Sequence, residues 1–134
     1  MKVIIFTDGG SRGNPGPAAI GAVIKDPEGE ILAEISEYIG ETTNNQAEYQ
    51  AIVAALEKAC EMGATSAECY LDSMLVVKQV SGEWRIKEPT LMPHVITINN
   101  LRLKIGKVTF THVRREFNKE ADAQVNIALD AKMA

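Results

Sequence analysis

The 134-residue sequence predicts an α/β fold built around a mixed sheet. Two observations support this fold class: strand-like segments joined by short turns come first, and helix-like segments alternate with strand-like ones afterwards. The predicted order is βββ-α-β-α-α-β-α. Strands joined by tight turns pair antiparallel, whereas strands separated by helices pair parallel. The sequence has no internal repeat and no linker, so we expect a single domain spanning residues 1–134.

Three leading strands are predicted at residues 2–8, 18–26 and 30–39. The first is a continuous apolar run that ends in an acid, a pattern typical of a strand buried on both faces. Glycine and proline are frequent in residues 9–17, which are therefore predicted to form a loop. The segment Pro27-Glu28-Gly29 separates the second and third strands and predicts a hairpin turn.

The later elements alternate in type: we predict helices at residues 45–62, 73–80, 94–105 and 119–132, and strands at 67–72 and 107–113. Residues 81–93 are predicted to be irregular. Thr43 and Asn44 are candidate N-caps of the first long helix, and Gly63 suits its C-terminal end. Asn118 is expected to cap the last helix.

The composition is that of an ordinary globular protein, with 46% hydrophobic and 24% charged residues. No apolar run reaches the ~20 residues that span a bilayer, and the N-terminal apolar run is too short for a signal peptide. We therefore expect a cytoplasmic monomer with no membrane partner. Cys60 and Cys69 form no CxxC pair, which argues against a zinc site and favours two reduced thiols, with a disulfide between them left open.

Charge is distributed unevenly along the chain. Residues 1–67 hold 4 basic and 10 acidic side chains, and residues 68–134 hold 10 basic and 8 acidic ones. Such an asymmetry suits a protein that contacts phosphate on one side and gathers cations on the other. A solvated surface with random asymmetry explains the charges equally well.

Two aspartates stand at the ends of predicted strands: Asp8 ends the first strand and Asp72 ends the fourth. If these strands lie side by side, both carboxylates reach the sheet edge where α/β folds place their sites. Glu48 and Asp122 lie on predicted helices, each on the face that also carries apolar residues. A buried carboxylate is costly unless a cation offsets its charge.

The four carboxylates together therefore predict a site with hard oxygen ligands, which suits Mg²⁺ or Mn²⁺. Any one of these acids taken alone is better explained by a cap or an ion pair. Four of them at one edge of the sheet favour the metal site, and no histidine or cysteine set competes with it.

Four segments of the sequence resemble ribonuclease H type 1 and appear in the family's order: TDGGSRGNPGPAAIG (7–21), TTNNQAEYQAIVAAL (42–56), LDSMLVVKQVSGEW (71–84) and HVRREFNKEADAQVN (112–126). The resemblance implies a five-stranded mixed sheet, three antiparallel strands then two parallel ones, flanked by helices. It also implies an endonuclease that cuts the RNA strand of RNA–DNA hybrids, leaving 5′-phosphate and 3′-hydroxyl ends. The implied catalytic and metal-binding set is Asp8, Glu48, Asp72 and Asp122, with two Mg²⁺ ions for which Mn²⁺ substitutes.

The resemblance also assigns substrate contacts. Glu48 and the backbone near Gly9 and Gly10 would read the 2′-hydroxyls that distinguish RNA from DNA. Minor-groove contacts would come from Asn14, Asn44 and Asn45, a DNA-strand phosphate contact from Thr43, and further contacts from the segment containing Ser73 and Met74. Asn14 and Asn44 also suit a purely structural role as loop or cap residues.

His112 and Glu116 are rival candidates, by resemblance, for a residue that assists proton movement or product release, and His112 suits an inert strand end equally well. Trp84 is expected to pack rather than to stack on a base. Met74 stands where family members usually carry glutamine, so hybrid binding should be weaker by about 1 kcal/mol for one lost hydrogen bond. The short segment 81–93 lacks the basic insertion of some members, which predicts modest affinity.

Two alternatives remain at this stage. One is another nuclease of the same fold, because that fold is shared by many polynucleotidyl transferases. The other is a non-catalytic module that binds hybrids. The asparagine pair before Glu48 favours the hybrid endonuclease over the first, and the presence of all four carboxylates argues against the second.

Overall fold

A five-stranded sheet organises the chain, for which a computed structural model describes residues 1–133. The strands are β1 (Lys2–Ser11), β2 (Gly16–Lys25), β3 (Ile31–Thr42), β4 (Ser66–Leu71) and β5 (Lys107–His112). The helices are α1 (Asn44–Glu61), α2 (Met74–Val80), α3 (Met92–Ile105) and α4 (Lys119–Met133), with 3₁₀ turns at Pro89–Leu91 and Arg115–Phe117. No helix in this described part of the chain combines the length and apolar character needed to cross a membrane.

The strand order is β3-β2-β1-β4-β5, which puts β1 at the centre. β1 pairs antiparallel with β2 and β2 antiparallel with β3, whereas β4 runs parallel to both β1 and β5. The predicted α/β fold class and mixed sheet are therefore confirmed. The expected side-by-side placement of the first and fourth strands is confirmed as well.

The helices cover both faces of the sheet. On one face, α1 and α3 bury residues such as Ile52, Leu56 and Ile98 against Val3 and Ile5 of β1. On the other face, α4 packs through a smaller apolar cluster of Ala19, Val125 and Leu129. Because side chains alternate along a strand, odd-numbered residues of β1 face α1 and even-numbered ones face α4.

The structure corrects the predicted loop at residues 9–17. β1 continues through Gly9, Gly10 and Ser11, which pair with Ile20, Ala19 and Ala18 of β2. The turn is reduced to residues 12–15. Glycine has no apolar side chain, so the composition of this segment indicated a loop. Backbone pairing with β2 nevertheless extends the strand through Gly9 and Gly10.

The caps of the helices agree in part with the sequence. Thr43 caps α1 as predicted, because its hydroxyl accepts the backbone N–H of Gln46, and Asn44 is the first residue of the helix instead of a cap. Asn118 takes the predicted cap position, because it precedes α4 and its carbonyl oxygen accepts the Asp122 N–H at 3.1 Å, but its side chain does not cap the helix. Its amide donates to the Thr7 carbonyl oxygen and to Asp72. Both cysteines are free thiols, and burial raises the pKa of Cys69 to about 12.

Candidate active site

Asp8 lies in β1, and Asp72 directly follows the last residue of β4, the strand that runs parallel to β1. Phe6 pairs with Tyr70 across β1 and β4, and their rings stack with centroids 5.3 Å apart. Asp8 comes two residues after Phe6, and Asp72 comes two residues after Tyr70. Because side chains alternate along a strand, both carboxylates lie on the same face as the stacked rings. The geometry of the parallel pair therefore brings the two carboxylates together, as the sequence predicted.

Glu48 reaches this site because α1 approaches β1 very closely. A Cβ atom on Gly9 would lie 2.3 Å from the backbone carbon of Ala47 and 2.5 Å from the backbone nitrogen of Glu48. Glycine at position 9 thus allows the first turn of α1 to lie against the strand residue that follows Asp8. Carboxylate oxygens of Asp8, Glu48 and Asp72 all lie within 4.8 Å of one another.

Asp122 arrives from the other face of the sheet through a second close approach. Gly21 pairs with Asp8 across β1 and β2, and a Cβ atom on Gly21 would lie 2.3 Å from the backbone oxygen of Ala121. α4 therefore begins directly above the strand position opposite Asp8. Asn126, one turn further along α4, donates to Asp122 Oδ2 over 3.3 Å.

The carboxylates repel one another in this half-buried setting. Burial, reinforced by the charges of Asp72, Asp122 and Glu48, raises the pKa of Asp8 to about 8. Burial and the charge of Asp72 raise the pKa of Glu48 to about 7, against the opposing effects of a hydrogen bond from Ser73 and the charge of Arg115. Such a site is stabilised by a bound cation, which favours the ionised carboxylates.

Asn118 supports the site, although sequence reasoning assigned it only a cap. The residue is 1% exposed, and its Nδ2 donates to the Thr7 carbonyl oxygen at 2.9 Å and to Asp72 Oδ2 at 3.2 Å. It thereby fixes the orientation of Asp72 relative to β1. The only sequence signal was an asparagine four residues before Asp122, which is equally typical of a helix cap.

One cavity of about 480 Å³ contains the four carboxylates. Of the residues predicted from the sequence, it is lined by Asp8, Gly9, Gly10, Asn44, Asn45, Glu48, Asp72, Ser73 and Asp122. Asn14 and Thr43 instead line a neighbouring cavity of about 610 Å³, which Asn44 and Asn45 also border. The carboxylate cavity is therefore continuous with the asparagine-rich start of α1.

Two asparagines of this surface also stabilise local structure. Asn14 Oδ1 accepts the backbone N–H of Asn44 at 3.0 Å, and Asn44 Oδ1 accepts the backbone N–H of Ser11 at 2.9 Å. These hydrogen bonds join the turn after β1 to the first residue of α1. They also fix both amide groups, so that the Nδ2 donors are available to a ligand.

The residues expected to assist turnover lie outside the lining of the carboxylate cavity. His112 is half-buried at the end of β5, and Glu116 is exposed and pairs with Arg114 at 3.5 Å. Arg115 from the same loop lines the cavity instead, and its charge acts on Glu48. Nothing in the sequence motif distinguishes Arg115 from the adjacent Arg114, so the sequence alone does not assign Arg115 to the cavity.

A second groove lies beside Asn45, with a volume of about 530 Å³. Trp84 lines this groove with Arg85 and Lys87, and it is 49% exposed. Trp84 is therefore not a core residue, and the expectation that it packs rather than stacks on a base stays a prediction. Met74 is 43% exposed nearby.

Comparisons with known proteins agree with this geometry. Residues 6–128 match the family model described as "Reverse transcriptase-like". The "Ribonuclease HI" of Halobacterium salinarum is 45% identical over 129 residues, which cover 96% of this chain and 65% of that protein. The "Bifunctional protein Rv2228c" of Mycobacterium tuberculosis is 44% identical over 132 residues, which cover 98% of this chain and 36% of that protein. The chain thus spans between about a third and two thirds of the length of these curated relatives.

A solved structure resembles the chain over nearly its whole length. The crystal structure of LC11-RNase H1 in complex with RNA/DNA hybrid superposes with a TM-score of 0.94 at 44% identity, and the match covers 98% of this chain and 99% of that one. The family model, the relatives and the shared structure lead to one assignment. The chain belongs to the ribonuclease H type 1 family.

Proposed function

We propose that this chain is a metal-dependent endonuclease that hydrolyses the RNA strand of RNA–DNA hybrids. The observation that carries the proposal is the carboxylate cluster, in which oxygens of Asp8, Glu48 and Asp72 lie within 4.8 Å of one another and Asp122 lines the same cavity. The similarity to LC11-RNase H1, whose structure contains an RNA/DNA hybrid, supports the choice of substrate.

The donor set fits Mg²⁺, with Mn²⁺ able to substitute. All four acids offer hard oxygen ligands. Burial, and after it the charge of Asp72, raises the pKa values of Asp8 and Glu48, and a divalent cation would favour their ionised forms. Asp8, Glu48, Asp72 and Asp122 would together hold two ions when substrate is present. When bound there, such ions would activate a water and stabilise the leaving 3′ oxygen, and the products would carry 5′-phosphate and 3′-hydroxyl ends.

The chain's own groups would select the substrate. Glu48 and the backbone of Gly9 and Gly10 border the cavity where an RNA 2′-hydroxyl would lie, and DNA lacks that group. Asn44 and Asn45 would donate to base edges in the minor groove. The hydroxyl oxygen of the neighbouring Thr43 accepts the N–H of Gln46 as the N-cap of α1. The hydroxyl hydrogen would donate to a DNA-strand phosphate at the same time.

Further groups would position the reacting strand. Asn118 would hold Asp72 in one orientation, and Asn14 would donate its free amide to the minor groove from the neighbouring cavity. His112 and Glu116 lie outside the carboxylate cavity, so their part in turnover stays a prediction that needs the loop 113–118 to move. Location in the cytoplasm and a monomeric state also stay predictions.

The decisive experiment compares four substrates: a labelled RNA–DNA hybrid, single-stranded RNA, double-stranded RNA and duplex DNA. Each is incubated with Mg²⁺, Mn²⁺ or EDTA, beside an Asp8→Asn variant. We expect cleavage of the hybrid's RNA strand alone, abolished by EDTA and by the substitution. Hybrid binding without cleavage in either metal would indicate a non-catalytic module. Release of single terminal nucleotides from a hybrid with a free end, and none from an end-protected hybrid, would indicate an exonuclease of the same fold.

A further inference from the structure

Arg12 lines the carboxylate cavity, although nothing in the proposed catalytic set involves it. The residue lies in the turn between β1 and β2, and its backbone N–H donates to the Pro17 carbonyl oxygen at 2.8 Å. Among the residues of 1–133 that line the cavity, Arg12 and Arg115 are the two that carry a positive charge. A cavity with four carboxylates that accepts a polyanion needs such charges around its rim.

The guanidinium of Arg12 is held against α4 but is not saturated. Its Nη2 donates to Asp130 Oδ1 at 2.6 Å and to Asn126 Oδ1 at 3.3 Å, and its Nη1 donates to Met133 Sδ at 3.5 Å. These partners occupy three of the five N–H groups that a guanidinium carries. The side chain is 36% exposed and that of Asp130 is 69% exposed, and an exposed ion pair of this kind contributes little to stability.

We propose that Arg12 binds a backbone phosphate of the strand that lies in the carboxylate cavity. Because the cleaved strand must occupy that cavity, the inference rests on the proposed function and assigns the contact to the RNA strand. The planar guanidinium suits a phosphate, which accepts two parallel N–H bonds. Asp130 and Asn126 hold the guanidinium on α4 beside the cavity, which reduces the conformational entropy lost when the phosphate binds.

A different role for Arg12 predicts different behaviour. Arg12 donates to Asn126, and Asn126 donates to Asp122, so Arg12 lies at the end of a hydrogen-bonded chain that leads to a catalytic carboxylate. If Arg12 only positioned Asp122, removal of Asn126 would reproduce the loss of Arg12. If Arg12 only connected the turn to α4, removal of Asp130 would cause the same loss of function as removal of Arg12. A phosphate contact needs the positive charge itself, and it survives both of these changes.

The test measures hybrid affinity as a function of salt in the Asp8→Asn background, in which the RNA strand should stay intact. Arg12→Gln should weaken binding several-fold at low salt and reduce the slope of log affinity against log salt by about 0.7 to 0.9, the value for one phosphate contact. Arg12→Lys should retain most of the slope. Asp130→Asn should leave affinity unchanged or raise it, because the asparagine oxygen can still accept from the guanidinium while the negative charge beside the phosphate is removed. Asn126→Ala should leave the slope unchanged.

Lys2→Gln is the matched control, because it removes the same charge from an exposed pair with Glu68 at the far end of β1. That variant should bind the hybrid like the parent protein. An unchanged slope in Arg12→Gln would overturn the inference, as would equal losses of affinity in Arg12→Gln and either Asp130→Asn or Asn126→Ala. If wild-type protein neither binds nor cleaves the hybrid, the proposed function fails and this inference with it. Wild-type cleavage combined with an unchanged slope overturns this inference alone.

Discussion

α1 and α4 supply carboxylates to one site from opposite faces of the sheet, and they are held there by different forces. α1 buries seven residues, five of them in the main core, whereas α4 buries three, two of them in a small cluster. α4 adds polar contacts at its surface: Lys25 pairs with Glu120 at 2.5 Å, and the Ser36 hydroxyl donates to the Gln124 carbonyl oxygen at 2.6 Å. Glu48 is therefore fixed by the core, whereas the position of Asp122 depends on contacts that can change without unfolding the protein.

The largest effect should come from the glycines beneath the two helices. Gly9→Ala places a methyl group 2.3 Å from the α1 backbone, and α1 cannot move without opening the main core, so we expect a loss of about 3 kcal/mol or more in unfolding free energy. Gly21→Ala meets the α4 backbone at the same distance, but α4 can shift, so about 1–3 kcal/mol is expected together with loss of cleavage. Urea unfolding measures the stability of both variants, and a hybrid cleavage assay measures their activity.

Gly29→Ala and Gly40→Ala are unsuitable controls, because both glycines have positive φ angles and strain would confuse the comparison. Ala123→Gly, at an exposed position of α4, reports the ordinary cost of a glycine difference within a helix. If Gly9→Ala and Gly21→Ala cost the same stability, the proposed difference between a core-fixed and a movable helix is wrong.

The next effect concerns Asn118, which joins β1 to Asp72. Asn118→Ala leaves the buried Thr7 carbonyl oxygen without this donor and frees the Asp72 carboxylate, so we expect a loss of about 1–3 kcal/mol in stability. Cleavage should fall more than the stability loss explains, because Asp72 loses its orientation. Asn118→Asp tests whether the hydrogen bond to Asp72 is needed for cleavage, because aspartate retains the shape of the side chain but cannot donate when ionised. A variant that is destabilised yet cleaves at the wild-type rate would show that Asn118 is structural alone.

These contacts also show what the sequence could and could not predict. The four acids were identifiable because each followed a strand pattern or shared a helix face with apolar residues. Asn118 was assigned to a cap, since the same residue type satisfies a helix end or a strand carbonyl and only the tertiary fold decides between them. Arg12 and Arg115 were not singled out for the cavity, because charge alone does not indicate which side of a loop a side chain takes.

The extent of β1 was underestimated for a related reason. Gly9 and Gly10 read as loop residues, yet both belong to the central strand. Gly9 is where a backbone must approach a helix closely, and a sequence pattern based on apolar side chains carries no signal for such an approach. The fold class and the order of elements along the chain followed from periodicity, whereas the close packing that assembles the site did not.

A smaller effect should appear in the pH dependence of stability without metal. The folded-state pKa values of Asp8 and Glu48, about 8 and about 7, lie above the ordinary values of 3.8 and 4.5. The folded protein therefore binds more protons than the unfolded chain between these limits, and its stability should fall as pH rises from about 4 to about 8. Thermal unfolding in EDTA at several pH values measures this decline, and Mg²⁺ should reduce it.

Asp8→Asn should flatten the same curve, because the neutral amide removes the ionisation of the carboxyl group with the pKa of about 8. Glu57→Gln is the control: Glu57 is an exposed α1 carboxylate that does not line the carboxylate cavity. An Asp8→Asn curve as steep as that of the wild type would mean that the destabilising charge lies elsewhere.

The smallest expected effect tests the surface beside the core-fixed helix. Met74 is 43% exposed at the start of α2, next to Ser73 in the cavity lining, and it cannot donate a hydrogen bond to a base edge. Met74→Gln should lower KM for the hybrid roughly fivefold, which corresponds to about 1 kcal/mol for one added hydrogen bond. We expect little change in kcat, because the new hydrogen bond forms equally with the substrate and the transition state. Ile127→Gln, on the exposed side of α4, should leave KM unchanged. If Met74→Gln also leaves KM unchanged, the start of α2 does not contact the minor groove, and substrate binding depends on α1 and the turn at Arg12.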